Sequence, residues 1–128
     1  MVESALYNLL AANAGVAGLV STRIFPNILR QEETLPAIAY QKIMASRPLV
    51  QSGSTSRCES TFQIDCFGDT PVAAKGLAAA VVSALHGVHG AGTSSDILLA
   101  QVVNELDLSD PSVGEFRVVI DIQLTHKE

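Results

Sequence analysis

Residues 57–85, RCESTFQIDCFGDTPVAAKGLAAAVVSAL, hold a strand and a helix whose patterns set the fold. In the first part Cys58, Phe62, Ile64 and Cys66 point one way, and Glu59, Thr61, Gln63 and Asp65 point the other. Successive strand side chains alternate between faces, so this segment predicts a sheet with one packed and one wet face, the antiparallel habit. Thr70-Pro71 then opens a helix: threonine can cap free amides, and proline is tolerated at the first helical position. The helix is expected to run to about Leu85 and end at Gly87, with Ala74, Leu77, Ala78, Val81 and Leu85 as its apolar stripe. Gly76, Ala79 and Ser83 make the opposite side a flat surface of small residues, and Lys75 is its one charge. A helix with so little polar cover is expected to pack on both sides, against the sheet and against a second helix or subunit.

Upstream, Leu6, Leu9, Leu10, Val16 and Leu19 recur at helical spacing, so a helix is expected from Glu3 to about Ala12, broken or continued as a short turn at Gly15 and Gly18. Arg23-Ile24-Phe25-Pro26 reads as a brief extended piece at a sheet edge or strand end, because proline cannot donate a ladder hydrogen bond. Residues 27–36 read as a loop, and Ala37 to about Ser46 as a strand with both faces partly covered. Pro48 and the small, polar stretch Gln51 to Ser56, flanked by Arg47 and Arg57, are entropically costly to order and read as a mobile connection between two strands. Downstream of the helix come a Gly- and Ser-rich turn, an apolar strand from Ile97 to Leu106, a turn over Asp107–Glu115, and a last strand. In that strand Phe116, Val118, Ile120, Ile122 and Leu124 alternate with Arg117, Asp121, Gln123 and Thr125. The expected architecture is a single α+β domain over residues 1–128, with an antiparallel sheet of about four strands covered by an N-terminal and a central helix.

Composition narrows the function. Of the 128 residues 48% are hydrophobic and only 16% charged, below the roughly 25% of an average soluble domain. So little charge leaves apolar surface in need of cover, which points to self-association. A net charge of −5 opposes bulk attraction to phosphates, so a nucleic-acid binder is not expected. No run approaches a membrane span and no basic leader precedes the first apolar stretch, so the expectation is a protein made and kept in a cytoplasm. Cys58 and Cys66, eight residues apart on one strand, lie about 26 Å apart and read as reduced structural thiols.

The search for chemistry finds no assembled site. His86 and His89 near Asp96 could suggest a metal, but the spacing is loose and the linker glycine-rich, so a solvated loop is the stronger reading. Gly87, Gly90 and Gly92 follow a helix instead of joining a strand to a helix start, which a phosphate loop requires. Asp65 and Asp121 project from wet strand faces, and a cross-strand or intersubunit ion pair with Arg57 or Arg117 is their expected role. No catalytic residue, cofactor or metal is expected, and an enzyme would need a site formed between subunits.

Taken in order, several segments resemble the tail-terminator (tail-completion, or head-tail joining) proteins of long-tailed bacteriophages and prophages. They are Ala5-Leu6-Tyr7, Arg23-Ile24-Phe25-Pro26, Leu35-Pro36-Ala37-Ile38-Ala39-Tyr40, Phe62-Gln63-Ile64-Asp65-Cys66-Phe67, and Gly114-Glu115-Phe116-Arg117 with the strand from Val118 to Leu124. Pro71-Val72 departs from the more polar helix start of that pattern, and Phe116 stands where it has a tyrosine. The resemblance implies a hexameric ring that caps the tail tube, stops its polymerisation and joins it to the head. Its partners would be further copies of the chain, the tail-tube protein and the connector proteins, first in the host cytoplasm and then at the head-proximal end of the virion tail. Docking is expected to fall on Arg47, Leu49, Val50, Gln51, Ser52 and Arg57, which could order on contact. Gly76, Ala79 and Ser83 on the helix, with Asp65, Arg117 and Asp121 on the strands, are the other expected contacts. A head-completion protein, and more remotely a small α+β ligand-binding domain or enzyme, are the alternatives.

Overall fold

The computed structural model describes residues 2–21, 23–26, 36–46, 49–50, 53–54, 57–87, 97–108 and 116–127. Its elements are α1 (Val2–Ala12), α2 (Ala14–Val20), β1 (Ile24–Pro26), β2 (Ala37–Ser46), β3 (Leu49–Val50), β4 (Gly53–Ser54), β5 (Arg57–Gly68), α3 (Pro71–Leu85), β6 (Ile97–Asp107) and β7 (Phe116–Lys127). Five strands form one sheet in the order β1-β2-β5-β7-β6, with β1 parallel to β2 and every other neighbour antiparallel.

The α+β class stands as expected, with two corrections to the sheet. It has five strands where about four were expected, and its β1 edge is parallel. Three residues are too few to display a period of two, so β1 is held by tertiary bonds instead. Ile38 N–H donates to Arg23 O at 2.9 Å, and the Arg23 side chain donates from Nε to Pro36 O at 2.9 Å and from Nη2 to Leu19 O at 3.3 Å. The third correction falls in the expected mobile connection, where β3 and β4 pair as a small ladder, Leu49 opposite Ser54 and Val50 opposite Gly53.

The helices lie against one face of the sheet. Register sets Phe62 opposite Ile122, Ile64 opposite Ile120 and Cys66 opposite Val118, and all six are buried. Ala74, Leu77, Ala78, Val81 and Leu85 of α3 are buried against them, as the stripe predicts. Leu6 and Leu10 of α1 and Val16 and Val20 of α2 complete the core. Thr70 caps α3, its Oγ1 accepting from Ala73 N–H at 3.1 Å. Asn13 does the same for α2, its Oδ1 accepting from Val16 N–H at 3.1 Å, so the two glycines that follow continue as a helix.

The strand expected over residues 37–46 is covered in its first half only: Ala37–Tyr40 are buried, whereas Lys42–Ser46 are exposed. A bulge at Ile43 separates the halves, between the pairs Lys42–Phe62 and Met44–Thr61. Bulges re-aim a strand, and here the change coincides with the loss of the β1 neighbour. At its other end the sheet is tied to the close of α3. Gly87, in the left-handed region at φ 81°, donates its N–H to Ala100 O at 2.9 Å, and Val102 N–H donates to His86 Nδ1 at 3.1 Å.

Candidate interaction surface

The sheet face opposite the helices is mostly polar, with Ala37, Ala39, Phe67 and Val119 buried toward one end. Glu59, Thr61, Gln63 and Asp65 of β5 lie beside Arg117, Asp121, Gln123 and Thr125 of β7, all half-buried. Register sets Asp65 opposite Val119 and Arg117 opposite Phe67, so Asp65 and Arg117 are diagonal neighbours, and their side chains meet at 3.8 Å. Gln63 Nε2 donates to Asp65 Oδ1 at 3.1 Å, and the Arg117 guanidinium lies 5.9 Å from the centroid of the Phe67 ring. Gln123 Nε2 donates to Glu59 Oε2 at 3.3 Å.

The cross-strand pair expected of Asp65 thus forms with Arg117 inside one chain. Asp121 has a different setting, opposite Gln63. Arg57 lies opposite Lys127, six residues along the strand and about 20 Å away, so Arg57 and Asp121 do not pair within one chain. Of the docking segment, Leu49 and Val50 stand in the β3–β4 ladder, whereas Arg47, Gln51 and Ser52 lie outside the described residues.

As expected, α3 packs against the sheet and against further helices, but its small-residue side takes no part in this and is uncovered in the single chain. Gly76, Ala79 and Ser83 are exposed, and Val72 at the head of the helix is 81% exposed. A methyl group built on Gly76 meets nothing within 4 Å. The helix gains its neighbours from the sheet and from α1 and α2.

Apolar surface gathers at the two lateral edges of the sheet. Beyond Tyr40, β2 has no strand on its outer side among the described residues, and there Ile43 is 49% and Met44 61% exposed. At the opposite edge β6 exposes Leu99, Val103 and Leu106, followed by Leu108. Long edge strands with unpaired backbone groups and apolar side chains are ready templates for another chain.

One buried cluster escaped the sequence reading. Ser60 Oγ lies 2.7 Å from His126 Nε2, and Cys58 Sγ lies 3.8 Å from Ser60 Oγ, all buried at one end of β5 and β7. Ser60 falls on the inward side of the Cys58–Cys66 alternation, and His126 extends the inward set of β7, so strand parity alone could have placed both inside. That they meet depends on the register between two strands 66 residues apart, which parity does not supply. With both partners buried, this hydroxyl–imidazole pair satisfies core polar groups and is sealed from substrate. Cys58 and Cys66 are free, buried thiols, and burial, with the Asp65 and Glu105 charges adding to it, pushes the Cys66 thiol far above its ordinary range. His86 is exposed just past α3, which it caps, and it accepts from Val102 N–H of β6; its supposed companions His89 and Asp96 lie outside the described residues. Among the described residues no group of three His, Cys, Asp or Glu side chains could hold a metal ion, and no helix is long and apolar enough to cross a membrane.

Comparison with known proteins agrees with this architecture. A chain of the solved virion of a native gene transfer agent particle is similar over 99% of this chain and 95% of its own, with a TM-score of 0.81 at 18% sequence identity. No curated protein matches the sequence. A family model matches residues 4–127, nearly the full length, and the chain therefore belongs to the family of tail completion protein gp17.

Proposed function

We propose that this chain, a structural protein of a phage-type tail by its family, works as one copy in a ring, expected to be hexameric, that caps the tail tube. The ring stops further tube subunits from adding and offers its other face to the head connector. It assembles in the host cytoplasm and stays at the head-proximal end of the virion tail. The observation that carries this reading is the family match from residue 4 to residue 127. The chain's physics favours it too. A chain with only 16% charged residues and with apolar side chains exposed on β2 and β6 is stabilised by covering them with other protein. A net charge of −5 does not suit phosphate binding.

Docking of the ring on its partners is assigned to the Arg47–Arg57 segment, which includes Leu49, Val50, Gln51 and Ser52. A head-completion protein is the neighbouring reading, distinguished by its partner. Immobilised chain should retain the tail-tube protein of the same particle; retention of portal-side proteins alone, with no tube protein, would move the assignment to head completion.

A further inference from the structure

The close of α3 is fastened to β6 by a side chain that stands in for backbone. Ala100 O and Val102 N–H turn to the same side of β6, as groups two residues apart on a strand do. Gly87 N–H donates to that carbonyl at 2.9 Å, and the Val102 N–H donates to His86 Nδ1 at 3.1 Å. Nδ1 thus takes the place that the carbonyl of a neighbouring strand would fill. Local backbone aims the side chain. His86 is the C-cap of α3 in an extended conformation, φ −65° and ψ 125°, with its own N–H donating to Val82 O at 2.9 Å, and Gly87 follows at φ 81°. An imidazole nitrogen accepts a hydrogen bond only while it carries no proton, so this contact requires neutral His86 with its proton on Nε2.

We infer that His86 is a proton-operated clasp: the neutral imidazole holds the end of α3 to β6, and the protonated imidazole lets it go. The clasp belongs to the single chain and stands apart from the ring reading. A proton on Nδ1 sets N–H against N–H and takes the acceptor away from Val102. The cation has another place to turn, because the last carbonyls of a helix carry partial negative charge. His86 is exposed, so acid reaches it without unfolding the chain. The charged groups of the elements around it leave the imidazole to this choice. α3 carries only Lys75, eleven residues earlier and about 16 Å away along the helix. Of the other helices, α1 carries Glu3 at its start and α2 no charge. β6 carries Glu105 and Asp107, three and five residues beyond Val102 and about 10 and 17 Å along the strand, and Asp107 meets Lys75 at 3.8 Å. β5 and β7 bring Cys58 and His126, buried together with Ser60, and Asp121 stands opposite Asn104. Among the described residues, the bond that engages the His86 imidazole is the one from Val102.

Amide exchange in the full-length protein, followed residue by residue by NMR and corrected for the intrinsic pH dependence of exchange, tests the clasp. From about pH 8 to about pH 5, protection at Val102 should fall about tenfold, the worth of one net hydrogen bond, while protection at Ile64 in the middle of the sheet holds. The nitrogen shifts of the His86 imidazole should show a bare Nδ1 at the upper pH and two protonated nitrogens at the lower. His86→Asn puts an amide oxygen where Nδ1 stands and takes up no proton in this range, so its Val102 amide should stay protected throughout. His86→Ala should leave that amide weakly protected at both ends. His89→Gln should behave as the wild type, which assigns the effect to His86 and not to its neighbour in sequence. A Val102 amide indifferent to pH would overturn the clasp, as would a loss equal to that at Ile64, a loss that persists in His86→Asn, or one abolished by His89→Gln.

Discussion

Cys66 shows how far a single residue's surroundings govern its chemistry. Its thiol is buried on β5 with Asp65 and Glu105 near enough to oppose a negative charge, so in the folded chain it ionises only far above the ordinary range. A pKa raised by folding stabilises the native state fully below the unfolded thiol's value of about 8.5, and that stability is lost progressively as pH rises above it. Urea unfolding of the wild type should therefore weaken above about pH 8.5, and Cys66→Ala should reduce that alkaline slope. Phe62, fully buried between the sheet and the helices, should cost about 3–5 kcal/mol on truncation to alanine, read from the same unfolding curves. The Asp65–Arg117 pair keeps partial solvent contact, at 13% and 30% side-chain exposure, and a double-mutant cycle should give it no more than about 1 kcal/mol. The pairing of residue types on this face was readable from strand alternation. The choice of Arg117 over Arg57 was not, because it depends on register.

Among the elements, α3 and β5 were legible nearly to the residue because each carries several independent signals: a cap, a proline at the first turn, an apolar stripe, and strict alternation. β1 was visible only as an extended scrap, since three residues carry no period and the Arg23 bonds that hold it are tertiary. The β3–β4 ladder was hidden for the opposite reason, as small polar residues resemble any loop until their pairing is known. Between β5 and α3 the chain turns so tightly that a methyl group on Gly68 would meet Ala74 N at 2.5 Å. Gly68→Ala must push the strand end off the first helical turn, and a loss of about 1–3 kcal/mol is expected in thermal or urea unfolding. Deleting Gln51–Ser56, which takes β4 with it, should leave the circular dichroism of the five-stranded sheet and its helices intact while reducing the yield of joined particles. Normal infectious titre from that deletion would remove the docking role from the segment.

For the molecule as a whole, one observation connects composition to function. With one sheet face covered by helices and the other mostly polar, the exposed apolar side chains of the strands collect at the lateral edges. The low charge content pointed to self-association from the sequence alone, but not to where it occurs. Apolar residues of β2 and β6 look alike on paper whether they face the core or an edge, and only the strand order separates them. The central claim, that a ring of this chain ends tail growth, is tested most directly by the distribution of tail lengths in electron micrographs of lysates that lack only this chain. The account predicts headless tubes of unregulated length, returning to one length when the chain is supplied in trans; tails of normal, uniform length in its absence would contradict it.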